Sequence, residues 1–286
     1  MKHSDLSLRK DLLIKFLLAA VLPVLVFGLG VAFYYNSNLV ETIHGSVYKR
    51  ATRIKFEVLE FLDDSLRAMN MTRDLILTGD HSNLPTEQVL NSAVANADIF
   101  EALYLVNDKG RIVDIGLPES RRQLRQSLLG IDFPLGGIFR GVVSQTEEFF
   151  WSDTYVSLLT GEPSIFATIP VGRQKLVGSI SLDKIGDYVF RNLEDDFGEV
   201  GVVDRHGTLV AHTDRRLARQ RVNLNFHPEV VLALKEKRDV TRHFDKKNRD
   251  FVGISFIPET GWAVYSLRSY SLAMKPVRGV RHSLIA

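Results

Sequence analysis

One short pattern occurs twice in this chain. Val106-Asn107-Asp108-Lys109-Gly110-Arg111-Ile112-Val113 aligns with Val203-Asp204-Arg205-His206-Gly207-Thr208-Leu209-Val210, at an offset of 97 residues (106 to 203). In each copy, apolar residues flank an Asn or Asp and a glycine, the residues that close a tight hairpin turn. The segments downstream of the two hairpins are also alike. After the first, residues 118–145 read as helices and loops, then strands fit 148–151, 164–171 and 176–182. After the second come a helix near 228–236 and strands at 239–244, 251–256 and 262–267. Ile169-Pro170 and Ile257-Pro258 each fall near the end of the penultimate strand. The expected architecture is α+β, with two similar lobes, each built on an antiparallel sheet of about five strands.

Upstream of the repeat the pattern is helical. Residues 16–35 carry no charge. A helix of that length spans about 30 Å, the thickness of a bilayer core. Pro23, Gly28 and Gly30 are acceptable in such a helix. Lys2, Arg9, Lys10 and Lys15 precede the stretch, and the first lysine or arginine after it is Lys49. The positive-inside rule then predicts a cytoplasmic N-terminus at 1–15, a transmembrane helix at 16–35, and a periplasmic remainder held at the inner membrane. A cleaved signal peptide is the competing reading; the stretch exceeds an h-region of roughly 7–15 residues and no A-x-A site lies beyond it. From 36 to 79 a stalk helix is expected. Its apolar residues Leu39, Ile43, Val47, Ala51, Ile54, Val58, Leu62, Leu66 and Met69 recur in steps of three or four. That stripe packs on the chain's own lobes, in a homodimer seam, or on each at different heights. The lobes come next at 80–194 and 195–270, and 271–286 forms a C-terminal segment.

Composition excludes several classes. The net charge is only +2, with no long run of one sign, so nothing points to nucleic acid. The chain has no cysteine, which removes disulfides, thiolate catalysis and cysteine-bound zinc. No Ser-His-Asp order, P-loop or HExxH pattern stands out, so neither an enzyme nor a cofactor is expected. His206 and His212, with Asp204 and Asp214 nearby, read as solvated surface groups rather than a metal cluster. Asp204 shapes the turn that Gly207 completes.

The order of these parts resembles the double Cache (dCache) sensor domains of bacterial receptors, in which two PAS-like lobes stack on a stalk helix. Trp151-Ser152-Asp153-Thr154-Tyr155-Val156-Ser157 with Thr160-Gly161-Glu162-Pro163 carries the resemblance in the first lobe. Val203 to His212 and Ile257-Pro258-Glu259-Thr260-Gly261-Trp262 carry it in the second. The resemblance covers about residues 39–272. It implies a sensing region that feeds a histidine kinase, diguanylate cyclase or chemotaxis output, and a small organic ligand in the membrane-distal lobe, the first by chain order. No output domain is present, and Ser283-Leu284-Ile285-Ala286 is expected to open a second membrane helix in a longer protein.

Within the first lobe, a pocket needs apolar walls and a few oriented polar groups. Asp153 is the candidate for an amine, and Trp151 and Tyr155 for walls or cation stacking. Arg140, next to Phe139, is the candidate for a carboxylate. Tyr104 and Ser179 are expected to line the sheet side. Against these stand plainer roles: Trp151 in the core, and Asp153 capping its own turn. The amino-acid-binding members show an arginine followed by a tryptophan–tyrosine pair and an aspartate in the last strand of the lobe. Here those places read Phe139-Arg140-Gly141 and Ser179-Ile180-Ser181. The alternative function is a module that binds a periplasmic protein, with a filled first lobe and an exposed apolar patch. A weaker third class, an extracytoplasmic hydrolase, requires converging titratable groups.

Overall fold

The computed structural model describes residues 4–79, 85–133, 149–193, 198–245 and 250–273. Helix α1 runs from Ser4 to Gly79 and α2 from Thr86 to Ala97. Strands β1 (Ala102–Val106) and β2 (Ile112–Gly116) form the first hairpin. A 3₁₀ turn (Glu119–Leu124) and α3 (Arg125–Leu128) come next, then β3 (Phe150–Trp151), β4 (Tyr155–Val156), β5 (Pro163–Val171) and β6 (Gln174–Ser181). Helix α4 (Leu182–Val189) leads to the second hairpin, β7 (Glu199–Val203) and β8 (Leu209–His212). The rest is α5 (Arg215–Arg219), α6 (Pro228–Glu236), β9 (Val240–Asp245), β10 (Asp250–Ile257), β11 (Trp262–Ser269) and α7 (Tyr270–Ala273).

The strands form two antiparallel sheets. The first has the order β2-β1-β6-β5-β3, with β4 also on β5, and the second β8-β7-β11-β10-β9. In each, the opening hairpin pairs with the last strand, which pairs with the penultimate one. The repeat in the sequence is therefore a repeat of topology. The turns match atom for atom. Asn107 Oδ1 accepts the N–H groups of Lys109 and Arg111, and Asp204 Oδ1 those of His206 and Thr208. Gly110 and Gly207 have φ of 83° and 79°, which glycine adopts without strain. Both hairpins carry one extra residue on the strand that leaves the turn, Val113 opposite the Leu105–Val106 step and Val210 opposite the Val202–Val203 step.

Residues 4–46 and 47–273 form separate units. In the second unit, the part of α1 from Val47 onward buries Val47, Ala51, Ile54, Val58, Leu62 and Met69, together with Phe61. One apolar cluster joins this stripe to strands of both sheets, including Ile165, Leu176 and Ile180 of the first and Val200, Ile257, Trp262 and Val264 of the second. Close approach is visible at Gly253, where a Cβ would stand 2.8 Å from the Tyr48 backbone. The stripe is thus spent within the chain from Val47 on, one of the two uses the periodicity allows. The opposite faces of the sheets carry two further cores. On the first sheet these are Tyr104, Phe133, Tyr155, Phe166 and Val177, and on the second Val203, Ile254, Phe256 and Tyr265 with Val230 and Ala233 of α6.

The α+β architecture and the long N-terminal helix agree with expectation, but the transmembrane helix does not. A spanning helix needs a sustained apolar run of about 20 residues. Among the described residues, no helix is long and apolar enough to cross a membrane. This overturns the transmembrane reading of residues 16–35. Residues 80–84, just past the expected end of the stalk, and the segment 274–286 lie outside the described residues.

Candidate functional site

The first sheet presents its second face away from α1. Alternation along β1 puts Leu103 and Leu105 in the α1 core and Ala102, Tyr104 and Val106 on the opposite face. On β6 the same alternation brings Ser179 to that face, where it is opposite Ala102 on one side and Phe166 on the other. Tyr104 packs edge-on to Phe133 with centroids 5.2 Å apart, and Tyr155 packs edge-on to Phe166 at 5.5 Å.

A buried polar network sits in this apolar face. The Tyr155 hydroxyl lies 2.7 Å from Ser179 Oγ. Ser179 Oγ donates to Glu101 Oε2 at 3.2 Å, and Ser164 Oγ donates to the same oxygen at 2.9 Å. Thr160 Oγ1 donates to Glu101 Oε1 at 3.2 Å. Glu101 is only 9% exposed, and its described side-chain partners are neutral hydroxyls. Burial, with the nearby Glu101 carboxylate adding to it, pushes the Tyr104 phenol well above its ordinary range. Burial does the same to Tyr155, opposed by the Ser179 bond. Both phenols therefore stay protonated, and the Tyr155 hydroxyl meets Ser179 Oγ in that form. Beside Glu101 opens a cleft of about 400 Å³ walled by Val94, Phe100, Pro118, Arg121, Thr160 and Lys184.

The predicted site residues divide into three groups. Tyr104, Tyr155 and Ser179 converge on one face of the first sheet. Trp151 is 4% exposed and belongs to the core shared with α1, the plainer of its two expected roles. Asp153 lies at the contact between the lobes, 2.8 Å from Arg205 Nε and 3.2 Å from His206 Nε2. Phe139 and Arg140 lie outside the described residues. Glu101 was missed. The signals for it were an acidic residue opening an otherwise apolar strand, and Ser164 and Ser179 interrupting two apolar strands on the same face.

The histidines also separate. His206 is exposed, as expected. His212 is 2% exposed, not a surface group, because the pairing of β8 with β7 turns it inward opposite Gly201, toward Tyr265. Its Nδ1 accepts the Asp214 N–H at 2.9 Å. Among the described residues, no group of three or more His, Cys, Asp or Glu residues is placed to hold a metal.

No protein-family model and no curated protein sequence matches the chain. Solved structures do. A domain of a sensory box/GGDEF family protein from Vibrio parahaemolyticus superposes with a TM-score of 0.63 at 13% identity, covering 83% of this chain and 100% of that one. The extracellular domain of a histidine kinase superposes with a TM-score of 0.61 at 12% identity, over 84% and 96% of the two chains. The ligand-binding domain of the Pseudomonas fluorescens chemoreceptor CtaA, solved with L-isoleucine, gives 0.60 at 13% identity over 85% and 98%. The fold is that of extracellular sensor domains of receptors. Two antiparallel sheets on one long helix are the arrangement that the resemblance to double Cache domains implies.

Proposed function

We propose that this chain is the ligand-sensing region of a signalling receptor, acting outside the cytoplasm by binding rather than by catalysis. The ligand class is a small organic molecule with a protonated amine. One observation carries this reading: a nearly buried carboxylate, Glu101, whose described partners are all hydroxyl groups and which borders a cleft. A buried carboxylate gains most from a cation that brings hydrogen-bond donors with it. Arg121, in the wall of the same cleft, offers a guanidinium to a carboxylate at the other end of the ligand. Aromatic walls from Tyr104 and Tyr155 lie behind the network. The sensor-domain fold supports a sensing role, and one structural neighbour was solved with an amino acid bound.

A thermal-shift screen of the whole chain against amines, amino acids and amine-free organic acids tests this. Amine-bearing compounds should raise the melting temperature, with binding confirmed by calorimetry. Glu101→Gln should weaken that binding at least tenfold, since it removes a charge-assisted contact worth about 1.5–3 kcal/mol. If amine-free acids bind the parent and the Gln variant equally, the amine reading is wrong. If nothing in the screen binds, the sensing reading loses its support. The packed aromatics Tyr104, Phe133, Tyr155 and Phe166, beside the exposed Val156 and Leu158, favour a protein partner as the second reading.

A further inference from the structure

The short link between β3 and β4, residues 152–154, is gripped from the second lobe along its length. Arg205 Nη2 donates to the Trp151 carbonyl at 2.8 Å, and its Nε lies 2.8 Å from Asp153 Oδ1. Arg221 Nη2 donates to the Thr154 carbonyl at 2.7 Å and to Thr154 Oγ1 at 3.2 Å. Thr154 Oγ1 in turn donates to Asp204 Oδ2 at 3.3 Å. Asp204 is 1% exposed, and its other oxygen closes the β7–β8 turn. Thr154 is therefore clamped between the turn of the second hairpin and Arg221, just past the end of α5. The next residue along the chain, Tyr155, enters the first-lobe network through Ser179.

Arg221 adds an independent sign. Its φ is 52°, in the left-handed region where a helix end ordinarily carries glycine. A side chain kept at backbone cost points to a task for that side chain. Here the guanidinium reaches across to Thr154.

We propose that Thr154, held between Asp204 and Arg221, transmits the state of the first-lobe network to the β7–β8 hairpin of the second lobe. This rests on the first-lobe network being the sensing site. A ligand that draws Tyr155 away from Ser179 moves Thr154, its neighbour in the chain, and Thr154 cannot move without disturbing the Asp204 turn. Coupling of this kind needs one element that both sites bias, and the clamped link is such an element.

Amide hydrogen exchange on the whole chain, without ligand, tests the coupling. Tyr155→Phe deletes the hydroxyl that meets Ser179. Exchange at residues 209–212 should then rise about fivefold or more, the lower end of couplings between sites. In an Arg221→Gly background the same change should add nothing. Arg221→Gly relieves the left-handed strain, so an undiminished melting temperature separates lost coupling from lost folding. Unchanged exchange at 209–212 in Tyr155→Phe overturns the proposal, as does an equal rise with and without Arg221. A failed ligand screen removes the sensing reading but leaves this exchange result to be judged separately.

Discussion

His212 shows how one side chain carries a pH dependence for the whole lobe. Burial holds its imidazole below the 6.5 of a free histidine, against the opposing pull of its bond to the Asp214 backbone and of Glu199. The unfolded chain therefore takes up the proton first. The stability that neutral His212 contributes is complete above about pH 6.5, and it is lost as pH falls from there through the lower folded value. Melting temperatures from pH 8 down to 5 should fall more steeply for the parent than for His212→Gln. Equal slopes would show that His212 does not set this dependence. Nothing in the residues around His212 foretold the burial. A histidine at a strand end reads as solvated until the strand's partner is known.

Among the elements, α4 was unforeseen as a separate helix, yet its start is written locally. Ser181 ends β6 with an extended backbone, and its Oγ accepts the Lys184 N–H at 3.3 Å, an N-cap. Ser181→Ala should cost about 1 kcal/mol, read as a drop in urea midpoint with unchanged slope. An effect near zero would mean that packing of Leu182, Ile185 and Val189 holds the helix without its cap. The repeated hairpins were fully legible, because Asn107 with Gly110, and Asp204 with Gly207, specify a turn whatever surrounds them. The stalk stripe was legible as periodicity but not as a destination. Apolar residues at helical spacing say that a face is buried, not what covers it. The apolar run at 16–35 likewise suggested a membrane, and the helix in place does not meet that requirement.

Taken as a molecule, the two lobes share one core through α1. Phe61 is 2% exposed, packs against Tyr188 at 5.1 Å, and belongs to the cluster that reaches both sheets. Phe61→Ala should cost about 3–5 kcal/mol. Because the cluster is continuous, calorimetry should still show both lobes unfolding in one transition. Two separated transitions in the parent chain would refute a shared core.

The doubling of the fold, the α+β class and the turn chemistry were all present in the order of residues, because each rests on neighbours within a few positions. The site was not. Glu101, Ser164 and Ser179 stand far apart along the chain and meet only through the pairing of β1, β5 and β6. Asp153 lies 2.8 Å from Arg205 of the second lobe, a neighbour that nothing local in the sequence reveals. Burial and side-chain convergence depend on which strands become neighbours, and that choice is made by the packing of both sheets on α1.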